Sequence, residues 1–357
     1  MNITATKWGM SMNASLKHLG IATIAGLIIG VCLVSGFVAA FHAPKPHDLP
    51  VAIVAPPAAQ DQLRETLAAR VPGVIDLRTY DSPIAAEAAI LNRDVQGAFV
   101  AGQGSARLIV AGASGTLVTQ ALTGVFQTVA ATTGQQLDIK DIRPLPEHDR
   151  AGVSAFFLIV SIVISSLFSQ ILVAVLAKDT GTAARVGALF AFAGLVALLN
   201  TWIADSIIGA LTGHFWGIVG LSALLSLAIA SVTAGLQRLF GPPGIGLAAL
   251  TLIIVGMPAS GGPLGYQFLP GFFRALSQGL PPGATLTALR NTVYFDAHAV
   301  RDPILVLLAW AVAGLLAIVA ADWLRARSRA GASSPDHASR PLRDAAAESS
   351  EMPTAAQ

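Results

Sequence analysis

AGVSAFFLIVSIVISSLFSQILVAVLA, residues 151–177, contains no Asp, Glu, Lys or Arg. A bilayer core of about 30 Å is crossed by roughly 20 apolar residues in a helix, because each residue adds about 1.5 Å of rise. The stretch is long enough, and its reading as a membrane span sets the frame for everything around it. Leu19–Phe41, Val186–Ala204, Phe215–Leu236 and Pro303–Ala321 are equally free of formal charge. A sixth apolar run starts near Gly244 and passes through Leu247, Leu250, Leu252, Ile253, Ile254 and Val255 to Met257. Pro258 and the Gly261, Gly262, Pro263 cluster then interrupt it, so it reads as a short or broken span.

Composition agrees. Of 357 residues, 54% are hydrophobic and only 12% charged, well below the share of about 25% charged residues usual in soluble domains. An unpaired charge in hydrocarbon costs several kcal/mol, which explains why the charges cluster between the runs. A net charge of +2 with no basic stripe interleaved with aromatics argues against nucleic acid as a partner. Cys32 is the single cysteine and lies inside the first apolar run, so neither an intrachain disulfide nor a thiolate metal site is expected. No cofactor is expected.

Basic residues in short loops favour the cytoplasmic side. With the amino terminus inside, the inner segments hold Lys7, Lys17, Lys178, Arg185, Arg238, Arg325, Arg327, Arg329, Arg340 and Arg343, whereas the short outer segments hold Arg274, Arg290 and Arg301. Six crossings therefore place both termini in the cytoplasm of a plasma-membrane protein. The expected organisation is a cytoplasmic segment 1–18, a first span 19–41, an extracytoplasmic α/β domain 42–150 and a five-helix region 151–325. A re-entrant or interfacial segment lies at about 258–302, and an unstructured cytoplasmic tail covers 326–357. Val38, Ala39 and Ala40 resemble a signal-peptidase site, but the apolar run exceeds the core of about 7–15 residues usual for a signal peptide.

Within 42–150 the pattern alternates. Strands are expected at Val51–Ala55, Val74–Tyr80, Gly97–Ala101 and Arg107–Ala111, and helices at Asp61–Arg70, Pro83–Asn92 and Thr116–Thr133. Leu137–Leu145 reads as an added edge strand. Such a small α/β unit is long enough to bury its own core.

Several motifs invite chemistry. Gly112, Ala113, Ser114 and Gly115 resemble a turn that presents a nucleophilic serine, but no histidine lies between His47 and His148, and Ser114 is placed to cap the helix that follows. His42, His47, His148, His214 and His298 lack the spacing of metal ligands. No Gly-Lys pair occurs, so the chain has no phosphate-cradling loop for ATP. Small residues four apart, Gly26 with Gly30, Gly209 with Gly213, Gly213 with Gly217 and Ser222 with Ser226, favour close helix packing within one chain or between two copies. Ser165, Ser166, Ser169 and Gln170 in the second span and Asn200 in the third either line a translocation path or bond across helices.

Residues 258–301 are too apolar for an ordinary loop and too rich in Pro and Gly for a span. Phe272, Phe273, Leu276 and Leu280 share one helical face, as do Leu286, Leu289 and Val293, which suggests two short helices in the interface. Irregular backbone at membrane depth must be buried in protein or line a cavity. A re-entrant outer gate built on Pro258, Gly261, Gly262, Pro263 and Pro270 meets that demand, and so does a structural cover.

One span, a large outer domain and five further spans, with irregular elements before the last, resembles the type 2 ATP-binding-cassette (ABC) exporter permeases. Ala177-Lys178-Asp179-Thr180-Gly181-Thr182 looks like the charged inner loop after that family's second helix. MPASGGPLGYQFLPGFFRALSQGLPPGATLTALRNTVYF, Met257–Phe295, is similar to the segment before the last helix in those permeases and in the related phage-infection-protein-like membrane proteins. The resemblance implies a transport subunit rather than an enzyme. It would pair as a homodimer or heterodimer of permease halves and recruit a separate ATP-binding subunit at Lys178, Asp179 and Arg185. Its implied cargo is amphiphilic or lipid-like. The rival expectation is a non-transporting membrane protein whose outer domain is a receptor or scaffold.

Overall fold

The computed structural model describes residues 3–102, 104–177 and 180–332. Lys178 and Asp179, and residues 333–357 of the expected tail, lie outside the described residues. Helix α1 (Ile3–Phe41) opens the fold. The α/β domain follows as β1 (Leu49–Val54), α2 (Pro57–Arg70), β2 (Ile75–Thr79), α3 (Pro83–Leu91), β3 (Gly97–Ala101), β4 (Ser105–Val110), α4 (Thr116–Thr133) and β5 (Gln136–Asp141). Local chemistry sets the boundaries. Pro57 and Pro83 occupy first helical positions, where a missing N–H costs nothing, and the Ser82 hydroxyl accepts from the Ala85 N–H to cap α3. Gly134, at φ +65°, ends α4 in the left-handed conformation and turns the chain back into β5.

The sheet order is β2-β1-β3-β4-β5, with β3 and β4 antiparallel and the other neighbours parallel. Alternation along β1 sends Leu49, Val51 and Ile53 to one face and Ala52 and Val54 to the other. The first face packs on α2 and α4 through Leu63, Leu67, Leu122 and Phe126, with Phe99 stacked on Phe126 at 4.9 Å between ring centroids. The second packs on α3 through Ala86, Ala89 and Ile90. The domain does not complete these cores alone. Phe268 and Leu264 join the first and Tyr294 and Phe295 the second, all from a segment more than a hundred residues later.

Among the described residues, six helices are long and apolar enough to cross a membrane: Leu19–Phe41, Ser154–Leu176, Thr182–Ile207, Phe215–Phe240, Pro242–Ala259 and Arg301–Ser328. In element terms these follow α1 with α5 (Ser154–Leu176), α6 (Thr182–Trp202), α7 (Phe215–Phe240), α8 (Pro242–Ala249), α9 (Gly256–Ala259), α10 (Gly271–Ser277), α11 (Pro281–Tyr294) and α12 (Arg301–Ala332). The fifth span is continuous rather than broken, because α8 and α9 are joined by the wider π-turns of Leu250–Val255 and Pro258 sits in the last turn. Helix α6 likewise runs on into a π-turn at Ile203–Ile207. Helix α12 reaches Ala332, past residue 326, where the tail was expected to begin.

Helix α7 forms the centre of the bundle, its buried face including Ile218, Leu225, Ile229 and Ala230. It meets α12 backbone to backbone. A Cβ on Gly235 would lie 2.7 Å from the Ala317 Cβ, and one on Gly314 would lie 2.5 Å from the Ser231 carbonyl carbon. Helix α1 is peripheral, touching the fifth span near Gly36, where a Cβ would come 2.8 Å from the Ile254 oxygen. A Cβ on Gly26 or Gly30 would meet nothing within 4 Å among the described residues, so neither glycine permits a close helix contact there.

The expected pair of interfacial helices holds for neither arm in full. Helix α10 leaves Phe272 exposed, but α11 is buried from Pro281 through Leu286, and again at Ala288 and Leu289, against α5, α7 and α12. Its apolar stripe faces protein on more than one side, so it is an internal element. Gly283 permits the tight turn into α11, since a Cβ there would overlap the Ser277 carbonyl.

Candidate functional site

Where the α/β domain meets the bundle, polar residues from distant parts of the chain converge. Asp149, buried just before α5, accepts from the Val153 and Ser154 N–H groups and satisfies the first turn of that helix. It also accepts from the Tyr294 hydroxyl at 2.8 Å. Burial, followed by the charge and hydrogen bond of Asp149, pushes the Tyr294 phenol well above its ordinary range, with Arg290 opposing. Exposed ion pairs flank this contact: Arg143 with Asp296 at 2.5 Å and Arg274 with Asp48 at 3.2 Å. Each of these bonds joins the domain to the segment between the fifth and sixth spans.

A cavity of about 410 Å³ lies at the junction. Arg93 enters it from the domain, held at φ +70° just beyond α3. Its Nη1 donates to the Ser114 Oγ at 2.6 Å and its Nε to the Asn291 Oδ1 at 3.1 Å, with the guanidinium 4.2 Å from the Phe295 ring centroid. Arg290 enters from α11 and donates over longer distances, 3.3 and 3.4 Å, to the carbonyls of Gly262 and Gly152. Burial pulls the Arg93 pKa down to about 10, with Tyr266 opposing and the Arg290 charge adding to the fall, so Arg93 is still a cation at neutral pH. Burial also lowers Arg290, against the raising influence of Tyr294 and Asp149.

Ser114 therefore does not cap α4. Gly115 stands at the cap position without a side-chain bond, and the Ser114 hydroxyl is turned to Arg93 instead. None of the expected gate residues Pro258, Gly261, Gly262, Pro263 and Pro270 lines the cavity; the Gly262 carbonyl touches it only by accepting from Arg290. Gly261 and Gly262 take left-handed conformations, at φ +80° and +47°, and a Cβ on Gly261 would come 2.5 Å from the Tyr266 nitrogen. Pro258 is buried, Pro263 is exposed and Pro270 immediately precedes α10.

The polar residues of the second and third spans lie elsewhere. Asn200 accepts from Ser161 at 2.7 Å across α5 and α6, Ser165 donates to its own helix at Ile162, and Ser166 bonds Ser226 of α7 at 2.8 Å. Ser169 is half-buried and Gln170 buried. None of Ser165, Ser169, Gln170 and Asn200 lines the junction cavity.

No family model, curated protein or solved structure matches this chain. The reading of the site therefore rests on its own chemistry. Among the described residues, no three of His, Cys, Asp and Glu are grouped to hold a metal ion.

At the opposite end of the bundle a second polar cluster ties three helices together. Arg238 of α7 pairs with Asp322 of α12, which also accepts from Thr182 of α6 at 2.5 Å. Arg325 donates to the Arg238 carbonyl at 2.5 Å, and Arg185 to the Ala177 carbonyl at the end of α5. Arg185 thus sits at the turn between α5 and α6. Sequence reasoning singled out Arg185 but neither the Arg238–Asp322 pair nor Arg93, Asn291 and Tyr294, which bond across 84 positions from Arg238 to Asp322, 145 from Tyr294 to Asp149 and 198 from Arg93 to Asn291.

Proposed function

We propose that this chain is the membrane-spanning permease subunit of an ABC-type exporter, moving an amphiphilic or lipid-like substrate with energy from a separate ATPase. In this reading both termini are cytoplasmic and the α/β domain is extracytoplasmic. Two permease halves pair in the membrane, and Lys178, Asp179 and Arg185 face the ATPase. The supporting observation is that α11, a helix too short to span, is buried inside one end of the bundle and bonded there to the domain. Motion in the bundle is thereby coupled to the domain. At the other end, Thr182, Asp322 and Arg238 lock the α5–α6 turn to α7 and α12, so a push on that turn reaches the bundle core.

Affinity capture of the full chain from its native membranes, followed by an ATPase assay, tests this proposal. An ATP-hydrolysing subunit should co-purify, and its turnover should respond to the permease. If no such subunit is retained and no added ATPase is stimulated, the pump is wrong. The packed α5–α6–α7 contact at Asn200, Ser161, Ser166 and Ser226 favours the rival, a receptor or scaffold that transports nothing, and that result would select it. The orientation is checked separately. With Cys32→Ser as background, Ser105→Cys should react with impermeant maleimide on intact cells and Ser328→Cys only after permeabilisation.

A further inference from the structure

Arg93 and Arg290 reach the junction cavity from different walls, one from the domain and one from α11. Neither forms an ion pair among the described residues. Asp149, whose charge Arg290 feels, already satisfies the α5 terminus and Tyr294. Among the described residues, Asp302 is the single carboxylate on the cavity wall, against two guanidinium groups. Both arginines are half-buried, and holding two partly desolvated like charges beside one cavity is unfavourable unless an anion neutralises them; donors approaching from two walls can bind different oxygens of a tetrahedral oxyanion. An independent observation points the same way. Gln96, 5% exposed, lines the cavity, and its Oε1 has no hydrogen-bond partner among the described residues. A buried acceptor in that position calls for a donor. Leu286 and Val306 supply an apolar wall, and 410 Å³ is room for more than a phosphate alone.

We infer that this cavity binds a phosphate ester whose organic part carries a hydroxyl, with Arg93 and Arg290 on the phosphate and Gln96 accepting from the hydroxyl. Soluble esters and phospholipid headgroups share that chemistry. The inference does not depend on the permease reading, because binding is a property of the chain without any ATPase.

The test uses the purified full chain in neutral detergent. Glycerol phosphate and methyl phosphate are titrated calorimetrically, and retention of phosphatidylglycerol against phosphatidylcholine is counted by native mass spectrometry. Glycerol phosphate binding with no preference for phosphatidylglycerol identifies a soluble ester, whereas selective phosphatidylglycerol retention identifies a headgroup. Either result supports the inference if Arg93→Gln and Arg290→Gln each weaken binding by about tenfold or more, as expected for losing a charged hydrogen bond. Arg107→Gln, an exposed residue paired with Asp138 far from the cavity, should change nothing. No binding of any anionic probe, or binding indifferent to both cavity arginines, overturns it. Should the arginine variants fail to fold, Gln96→Leu decides: the native chain should prefer glycerol phosphate over methyl phosphate and the variant should not. Equal affinity of the native chain for both overturns the proposal.

Discussion

Replacing Gly314 by Ala tests the α7–α12 contact at its tightest point. The added methyl would run into the Ser231 side chain and the Val232 nitrogen, and would lie 2.5 Å from the Ser231 carbonyl carbon. Comfortable carbon–carbon contact begins at about 3.5 Å, so the helices must part by about 1 Å. The obstacle is backbone, which cannot rotate aside. Overpacking of a core costs about 1–3 kcal/mol, and rigid neighbours favour the upper end. Ala recovers about 1 kcal/mol through its better helix propensity. The net loss is about 2 kcal/mol, roughly a 30-fold fall in the folded-to-unfolded ratio. Unfolding of the full chain in mixed micelles with rising SDS, followed by tryptophan fluorescence, reads that loss. Gly26→Ala and Gly30→Ala are the controls, since their methyls meet nothing within 4 Å. If Gly314→Ala unfolds at or above the native midpoint while the controls do not move, the backbone-to-backbone packing of α7 and α12 is wrong.

Asp322→Ala leaves the Arg238 side chain, 6% exposed, without its ion-pair partner. The expected cost is about 3–5 kcal/mol, and a double replacement by leucines should cost clearly less than the sum of the single changes in the same assay. Tyr294 adds a pH dependence. Its folded pKa is raised, so its stabilisation is complete below the unfolded value of about 10 and is lost as pH rises through the folded value. Melting curves taken at increasing alkaline pH should fall less steeply for Tyr294→Phe than for the native chain, and parallel slopes would exclude the Asp149 contact as their cause.

The spans were legible because hydrocarbon penalises charge, and that penalty writes itself into uninterrupted runs such as 151–177. The domain's strands and helices were legible from period and punctuation: Pro57, Pro83 and Gly134 stand at the boundaries that their backbone preferences require. Ser231 and Gly235 have the four-residue spacing that marked other small pairs, so the α7–α12 contact was within reach of the same rule. Arg93 was not. It follows α3 in an ordinary loop, and nothing local distinguishes it from a solvated arginine. Its meaning comes from Asn291, Phe295 and Arg290, which only the tertiary fold brings beside it. Ser114 was misread for the same reason, since the local rule for capping was outcompeted by a charged donor from elsewhere in the domain. The burial of α11 was equally hidden, because an amphipathic pattern does not say whether its polar side faces water or a buried polar junction.

The sharing of the domain's two hydrophobic cores with residues 264–295 has a consequence for biosynthesis. Tyr294 is 145 positions beyond Asp149. At about 5–20 residues per second, the ribosome delivers it roughly 7–30 s later. Through that interval the nascent sheet carries a bare apolar flank beside α3 and an uncovered Arg93. A chaperone able to shield that flank would raise the yield of folded protein, and a truncated product ending before the fifth span would be expected to aggregate or be degraded.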